Sequence, residues 1–517
     1  MFGVGCRTSA VALAIAVASV KAGPVQAPGI GQSAFAAEEY AWGHDDLSPV
    51  SESYSDSYGG WGATIVDALD TIDIWEEALN FSSTVDYSTT SGGQIEQVRL
   101  FETTIRYVAA SLCAYELSGQ KYPALVNQSK VLVDKMTNAF VGNNQIPYGY
   151  VNWNEGTPVV GTTNIAEAGT HDSDFTGNDT YRQLAEKPVI YIANLPPPLP
   201  NLPAQVVDPT SGQFADAYVT WGGGSDSYFE YLIKYARLSN TDNTLFADAW
   251  ASAVDSSIWN LARTSTVKDW QYMADWDDGT IIHIGSHLEC FHAGNWMLGG
   301  KLLNNDTIVG YGLALMEACW NTYASTATGI GPEVFAYFSS DGNYTGSSPS
   351  NGDLAFYNRN GFFVQPGGSD YYLRPEVLES NFYAWRITGD PKYVQRAADA
   401  VDAFLTYLPT TVAYAGINDV DSTDSTFIDD MQSFWFAEVL KYLYLTFSDP
   451  SVISLDEYVF NTEAHPFRAP TAKPVYGSGQ ILPSDTSAFK SVSQHGPIVS
   501  PAPVAAQSIP IPSATAA

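Results

Sequence analysis

The chain's 517 residues, 45% hydrophobic and 13% aromatic, are enough for one large closed barrel or for two to four smaller domains. Acidic residues outnumber basic ones 56 to 23, and the resulting net charge of −33 repels phosphate backbones and anionic headgroups, which excludes nucleic acid as a partner. A neutral substrate, a bound cation or an acidic medium fits the same balance.

In chain order, residues 1–22 read as a secretory signal peptide. Arg7 supplies its charge, Ser9 to Val20 its apolar run, and Val20-Lys21-Ala22 a small-residue cleavage site. That run is too short to span a bilayer, and no later stretch reaches 18 uninterrupted apolar residues, so a secreted, monomeric protein without a membrane span is expected. Sequons at Asn80, Asn127, Asn178, Asn305 and Asn343 agree with glycosylation on that route. Loss of Cys6 with the signal leaves Cys113, Cys290 and Cys319, which allow one disulfide and one free thiol. Cys113 sits in an apolar helical run, so Cys290 and Cys319 are the better candidates for a bridge.

After an extension over residues 23–39, residues 40–466 carry a weak repeat of helix, polar turn and helix. The turns are Leu117 to Tyr122, Phe175 to Tyr181, Leu238 to Phe246 and Ile387 to Tyr393, and each has Gly or Asn to end one helix and Asp, Asn or Pro to start the next. The first three lie roughly 60 residues apart, and the wider last gap leaves room for a diverged copy. Long loops such as Gly142 to Gly161 and Tyr337 to Tyr371 favour a closed α/α barrel with its loops at one end over an open solenoid. The Pro-, Ser- and Ala-rich stretch 467–517 reads as a disordered tail.

Four acidic clusters lie in otherwise apolar runs, where a charge is costly unless paired or used. Glu102 and Arg106 share a helix face, the spacing of an ordinary ion pair. Asp226 and Glu230 follow a glycine run; an Asp cap with a solvated Glu is the plain account, which neighbouring Tyr228 and Phe229 weaken. Pro375 places Glu376 and Glu379 in a first helical turn after Arg374, where the helix dipole alone would favour them. Gly329-Ile-Gly-Pro delivers Glu333. Together these carboxyls match glycosidic bond cleavage, which needs one acid and one base. A polysaccharide lyase or a glucoamylase-like enzyme matches equally on these grounds.

The same segments, with His44-Asp-Asp-Leu-Ser-Pro49, Gly59 to Thr71, Asn164 to Gly169, His287 to Phe291, Met431 to Tyr444 and Phe460-Asn-Thr-Glu-Ala-His-Pro466, resemble class I α-1,2-mannosidases, glycoside hydrolase family 47, of the secreted fungal type. The resemblance covers about four-fifths of the chain. It implies an all-α fold, an (α/α)7 barrel closed at one end by a β-hairpin, that removes terminal α-1,2-linked mannose from high-mannose N-glycans with inversion. It further implies catalytic roles for Glu102, Asp226, Glu333 and Glu376, with Glu102 the usual acid and Glu376 the usual base. Arg106, Arg374, Phe434 and His287 match substrate-binding positions. Ca2+ is implied on Thr462 directly and on Glu379, Glu438 and Glu463 through water, as is a Cys290–Cys319 bridge. Some relatives instead bind glycans with little turnover, in quality control. The chain differs from the pattern in a short first helix, in a shorter stretch between Gly169 and Asp174, and at Gly224, where enzymes that remove a single mannose carry arginine.

Overall fold

A computed structural model describes residues 39–71, 75–90, 97–169, 179–342, 346 and 348–479. The signal peptide, all of the extension but residue 39, the stretch 170–178 with Asn178, and Asn343 lie outside them.

Among the described residues seven helices form an inner ring: α1 (Ala63–Asp67), α3 (100–117), α5 (Ile165–Gly169), α7 (Asp226–Ser239), α9 (Phe291–Leu302), α12 (Glu376–Thr388) and α14 (435–447). Each packs on the next, and α14 returns to α1, which closes the circle. Each of the first six is backed by the helix that follows it, namely α2 (Trp75–Ser82), α4 (Pro123–Met136), α6 (Asp179–Ala193), α8 (Leu245–Asn260), α10 (Asp306–Ala324) and α13 (Lys392–Tyr407). Sequence pattern separates the layers. Outer α4 buries one stripe, Leu125, Ser129, Leu132 and Met136, whereas inner α9 buries ten of its twelve residues.

The turn from Phe175 to Tyr181 lies mostly outside the described residues; at the other three the left-handed residue expected from sequence is present. Asn240 ends α7 and Gly389 ends α12, both in the left-handed conformation. The diverged copy is the turn at Asn304, after which Asn305 caps α10 by accepting from the Thr307 and Ile308 amides at 3.1 and 3.3 Å. At the front of the ring, buried Asp45 accepts hydrogen bonds from the amides of Tyr58, Gly60, Trp61 and Ala63 and from the Tyr107 hydroxyl. It thereby folds the glycine-rich turn that starts α1. Gly62 at that turn has φ 77°, and a Cβ there would fall 2.6 Å from Phe81.

The ring is plugged at one end by a hairpin, β3 (Tyr458–Phe460) and β4 (Pro466–Arg468), paired in antiparallel register with Val459 opposite Phe467; β1 (Gln97–Arg99) and β2 (Tyr150–Asn152) form a similar pair before α3. Two expectations need correction. The fold does not end at Pro466: Phe467 and Tyr476 are buried, and Arg237 and Asn240 hold the Pro470 and Thr471 carbonyls, so polar composition concealed a strap tied down by backbone bonds. The loop from Tyr337 to Tyr371 contains α11 (Asn351–Asn360), set by a capping box between Ser350 and Asp353. No helix among the described residues is long and apolar enough to cross a membrane.

Cys290 and Cys319 are joined, tying the entry to α9 to α10, and Cys113 is a buried free thiol. The bridge closes a loop across 29 positions. Replacing both cysteines by serine should lower stability by about 3 kcal/mol, read as an earlier denaturant midpoint with a somewhat steeper slope, because the unfolded chain is no longer cross-linked.

Candidate active site

Inside the ring a cavity of about 350 Å³, open to solvent, reaches down to the hairpin turn. Its lining draws on α3, α5, α7, α12, α14 and the hairpin turn, so residues 360 positions apart in sequence face one space. Glu102, Asp226, Glu376, Arg106, Arg374, Phe434, Thr462, Glu379, Glu438 and Glu463 all line it. At the floor Glu379, Glu438 and Glu463 are 6%, 5% and 3% exposed. At the mouth stand Arg99, Asn164, Glu167 and Gly224.

Local structure aims these groups. Residues Thr103–Val108 of α3 and Trp435–Leu440 of α14 are π-helical, a wider turn that recurs at functional sites. Arg106, in the first of them, donates to Glu102 at 2.8 Å, to Glu463 at 2.9 Å and to Ser433 at 2.9 Å. It bridges the wall of the cavity to its floor and lies 5.6 Å from the Phe434 ring centroid. The hairpin turn is held by Asn461, whose side chain accepts from the Glu463 and His465 amides; Thr462 at its tip lies 3.3 Å from the Ser227 hydroxyl.

Two expected site residues stand behind the lining. His287 is 1% exposed; its Nδ1 meets Glu376 Oε2 at 2.6 Å and its Nε2 meets the Tyr323 hydroxyl at 2.7 Å. It therefore orients Glu376 instead of reaching the cavity. Glu333 accepts from the Tyr372 amide at 3.0 Å and pairs with Arg374, so it serves the arginine. Sequence reasoning missed Asp67 and Lys234, and read Glu230 only as the partner of Asp226 in an acidic cluster. Glu230 lines the cavity and pairs with Lys234. Asp67 is wholly buried between Arg106, Ser433 and His465. Its signal was available: Asp67 and Asp70 are two acids in the apolar run of α1 and the turn after it. Below the floor Asp70 is clamped by Lys441 at 2.8 Å and by His465 at 3.2 Å.

The titrating groups are pushed apart. Burial, reinforced by Glu230 and Glu376, raises Asp226 to about 7. Burial also acts on Glu376, yet the hydrogen bond and charge of His287, with Arg374, hold its carboxyl below the usual range. Burial outweighs Lys234 at Glu379 and Arg106 at Glu463, which both rise to about 8. Burial and the neighbouring acids push Glu438 well up. A carboxyl that keeps its proton facing one that has lost it is the pairing that acid–base chemistry needs.

A sequence profile described as glycosyl hydrolase family 47 matches residues 34–469. The chain belongs to glycosyl hydrolase family 47. Its relatives include mannosyl-oligosaccharide alpha-1,2-mannosidase 1B of Aspergillus phoenicis, 38% identical over 464 residues, 83% of this chain and 88% of the relative. The mannosyl-oligosaccharide alpha-1,2-mannosidase of Coccidioides posadasii is also 38% identical, over 83% of this chain and 87% of its own. Among solved structures, the alpha-1,2-mannosidase from Trichoderma reesei superposes with a TM-score of 0.83 and 34% identity, covering 90% of this chain and 99% of that one. The closed helical ring of this family 47 chain is thus the α/α barrel expected from its sequence.

Proposed function

We propose that the chain is a calcium-dependent exo-α-1,2-mannosidase that inverts configuration as it removes terminal mannose from high-mannose N-glycans. The observation that carries this reading is that Asp226, raised to about 7, and Glu376, held low, line one cavity together with the hairpin turn. The terminal sugar enters to the floor, between Phe434 and the acids. Glu376, kept ionised and oriented by His287, takes a proton from the attacking water. Asp226 supplies the proton for the departing oxygen, while Glu102, paired with Arg106, positions the bond.

The floor fits a hard cation. Its donors are all oxygen, three carboxyls and the Thr462 hydroxyl, and Glu463 Oε2 is buried without a hydrogen-bond partner. Thr462 would hold calcium directly, and Glu379, Glu438 and Glu463 through water. Bound there, the ion would supply positive charge that helps to bind sugar hydroxyls and to favour ring distortion. Secretion and N-glycosylation of a monomer complete the reading: Asn80 and Asn127 are exposed, and the cap made by Asn305 uses its oxygen, leaving the amide nitrogen for a glycan.

Release of mannose from Manα1-2Man, followed at the anomeric carbon, tests the reaction; appearance of β-mannose first is expected, and failure to release any sugar contradicts it. The rate should trace a bell with pH. kcat/KM falls as Glu376 gains a proton, below the ordinary glutamate range, and falls again as Asp226 loses its proton through about 7. A profile still climbing above pH 8 would remove Asp226 from the role of donor.

A further inference from the structure

Three arginines reach the cavity, and they differ in what remains of their donors. Arg106 is engaged by Glu102, Glu463 and Ser433, and Arg374 is anchored through Nε to Glu333. Arg99 stands at the mouth with 49% of its side chain exposed. Strand pairing places it directly opposite Tyr150, whose hydroxyl accepts from Arg99 Nε and whose ring centroid lies 5.2 Å from the guanidinium carbon. The head is therefore fixed. Its Nη1 stands 3.7 Å from Glu102 Oε1, beyond hydrogen-bond reach, so both terminal amino groups keep donors for a ligand.

The hairpin blocks the far end, so the sugar to be removed occupies the floor and the rest of the glycan leaves past the mouth. The mouth is where Arg99 presents its fork of donors, with Asn164 and Glu167 lining the same opening. A planar guanidinium held on one edge spans two adjacent hydroxyls of a neutral sugar well, and a strand fixes it better than a loop would. From this geometry we infer that Arg99 is a specificity-determining residue that grips the mannose left behind, the leaving group of the cleavage. The inference rests on the α-1,2-mannosidase reading.

Kinetics on two ligands of different length test it. Manα1-2Man reaches the mouth; a monosaccharide-sized iminosugar of manno configuration fills the floor alone. Arg99→Met should lower kcat/KM for the disaccharide about tenfold, chiefly through KM, while the inhibition constant of the iminosugar stays within about twofold of wild type. Arg99→Lys should fall between. Because the inhibitor reports an intact floor, misfolding cannot imitate this result. An unchanged disaccharide rate overturns the inference, and so does equal weakening of the iminosugar, which would place the effect of Arg99 on the floor through Glu102. If wild type releases no mannose from the disaccharide, it is the α-1,2-mannosidase reading that fails.

Discussion

Replacing Glu376 by Gln should lower kcat about a thousandfold while leaving binding of the disaccharide nearly intact. The substitution keeps the shape of the side chain and its contact with His287, at 2.6 Å in the native protein, but removes a carboxyl that the site holds below its usual range. Single-turnover kinetics with calorimetric binding would measure both quantities. Residual activity within about tenfold of wild type would assign the base to another group.

Thorough removal of calcium should depress turnover at least a hundredfold, with recovery on adding the ion back. The floor then has three carboxyls packed against one another, and Arg106 and Lys234 compensate two of them only partly, which is why protons are retained there. A cation entering such a floor must displace those protons, so its affinity should strengthen as pH rises toward about 8 and weaken as pH falls. Titrations at several pH values in buffers of different ionisation heat would reveal the released protons. Affinity independent of pH, or activity undiminished after chelation, would remove the ion from the floor.

Much of this arrangement was legible before any coordinates, for identifiable reasons. Helix ends at Asn240 and Gly389 were readable because a left-handed residue has few chemical solutions. The acids of α3, α7 and α12 stood out because each interrupts an apolar face. What could not be read is what depends on closure of the ring. Glu333 and Arg374 are 41 positions apart and meet only through a loop that folds back; His287 and Glu376 are 89 apart. Both looked like site residues by motif, yet their partners set their roles. The π turns in α3 and α14 carry no compositional mark, since local crowding decides them. Thr462 has no signal of its own; only the resemblance singled it out. The strap after Pro466 was hidden because its anchors are two aromatic residues in a polar stretch, too sparse for any periodicity.

The hairpin has one more implication, for biosynthesis. The tip that completes the pocket floor lies at Thr462, after all seven inner helices have been translated, and its neighbours Arg106 and Ser227 come from the first half of the chain. A partly synthesised chain already holds the residues for most of this wall, and both partners of the Cys290–Cys319 bond, while still lacking a place for the sugar to rest. The sugar pocket is complete only once the residues around Thr462 have joined the ring.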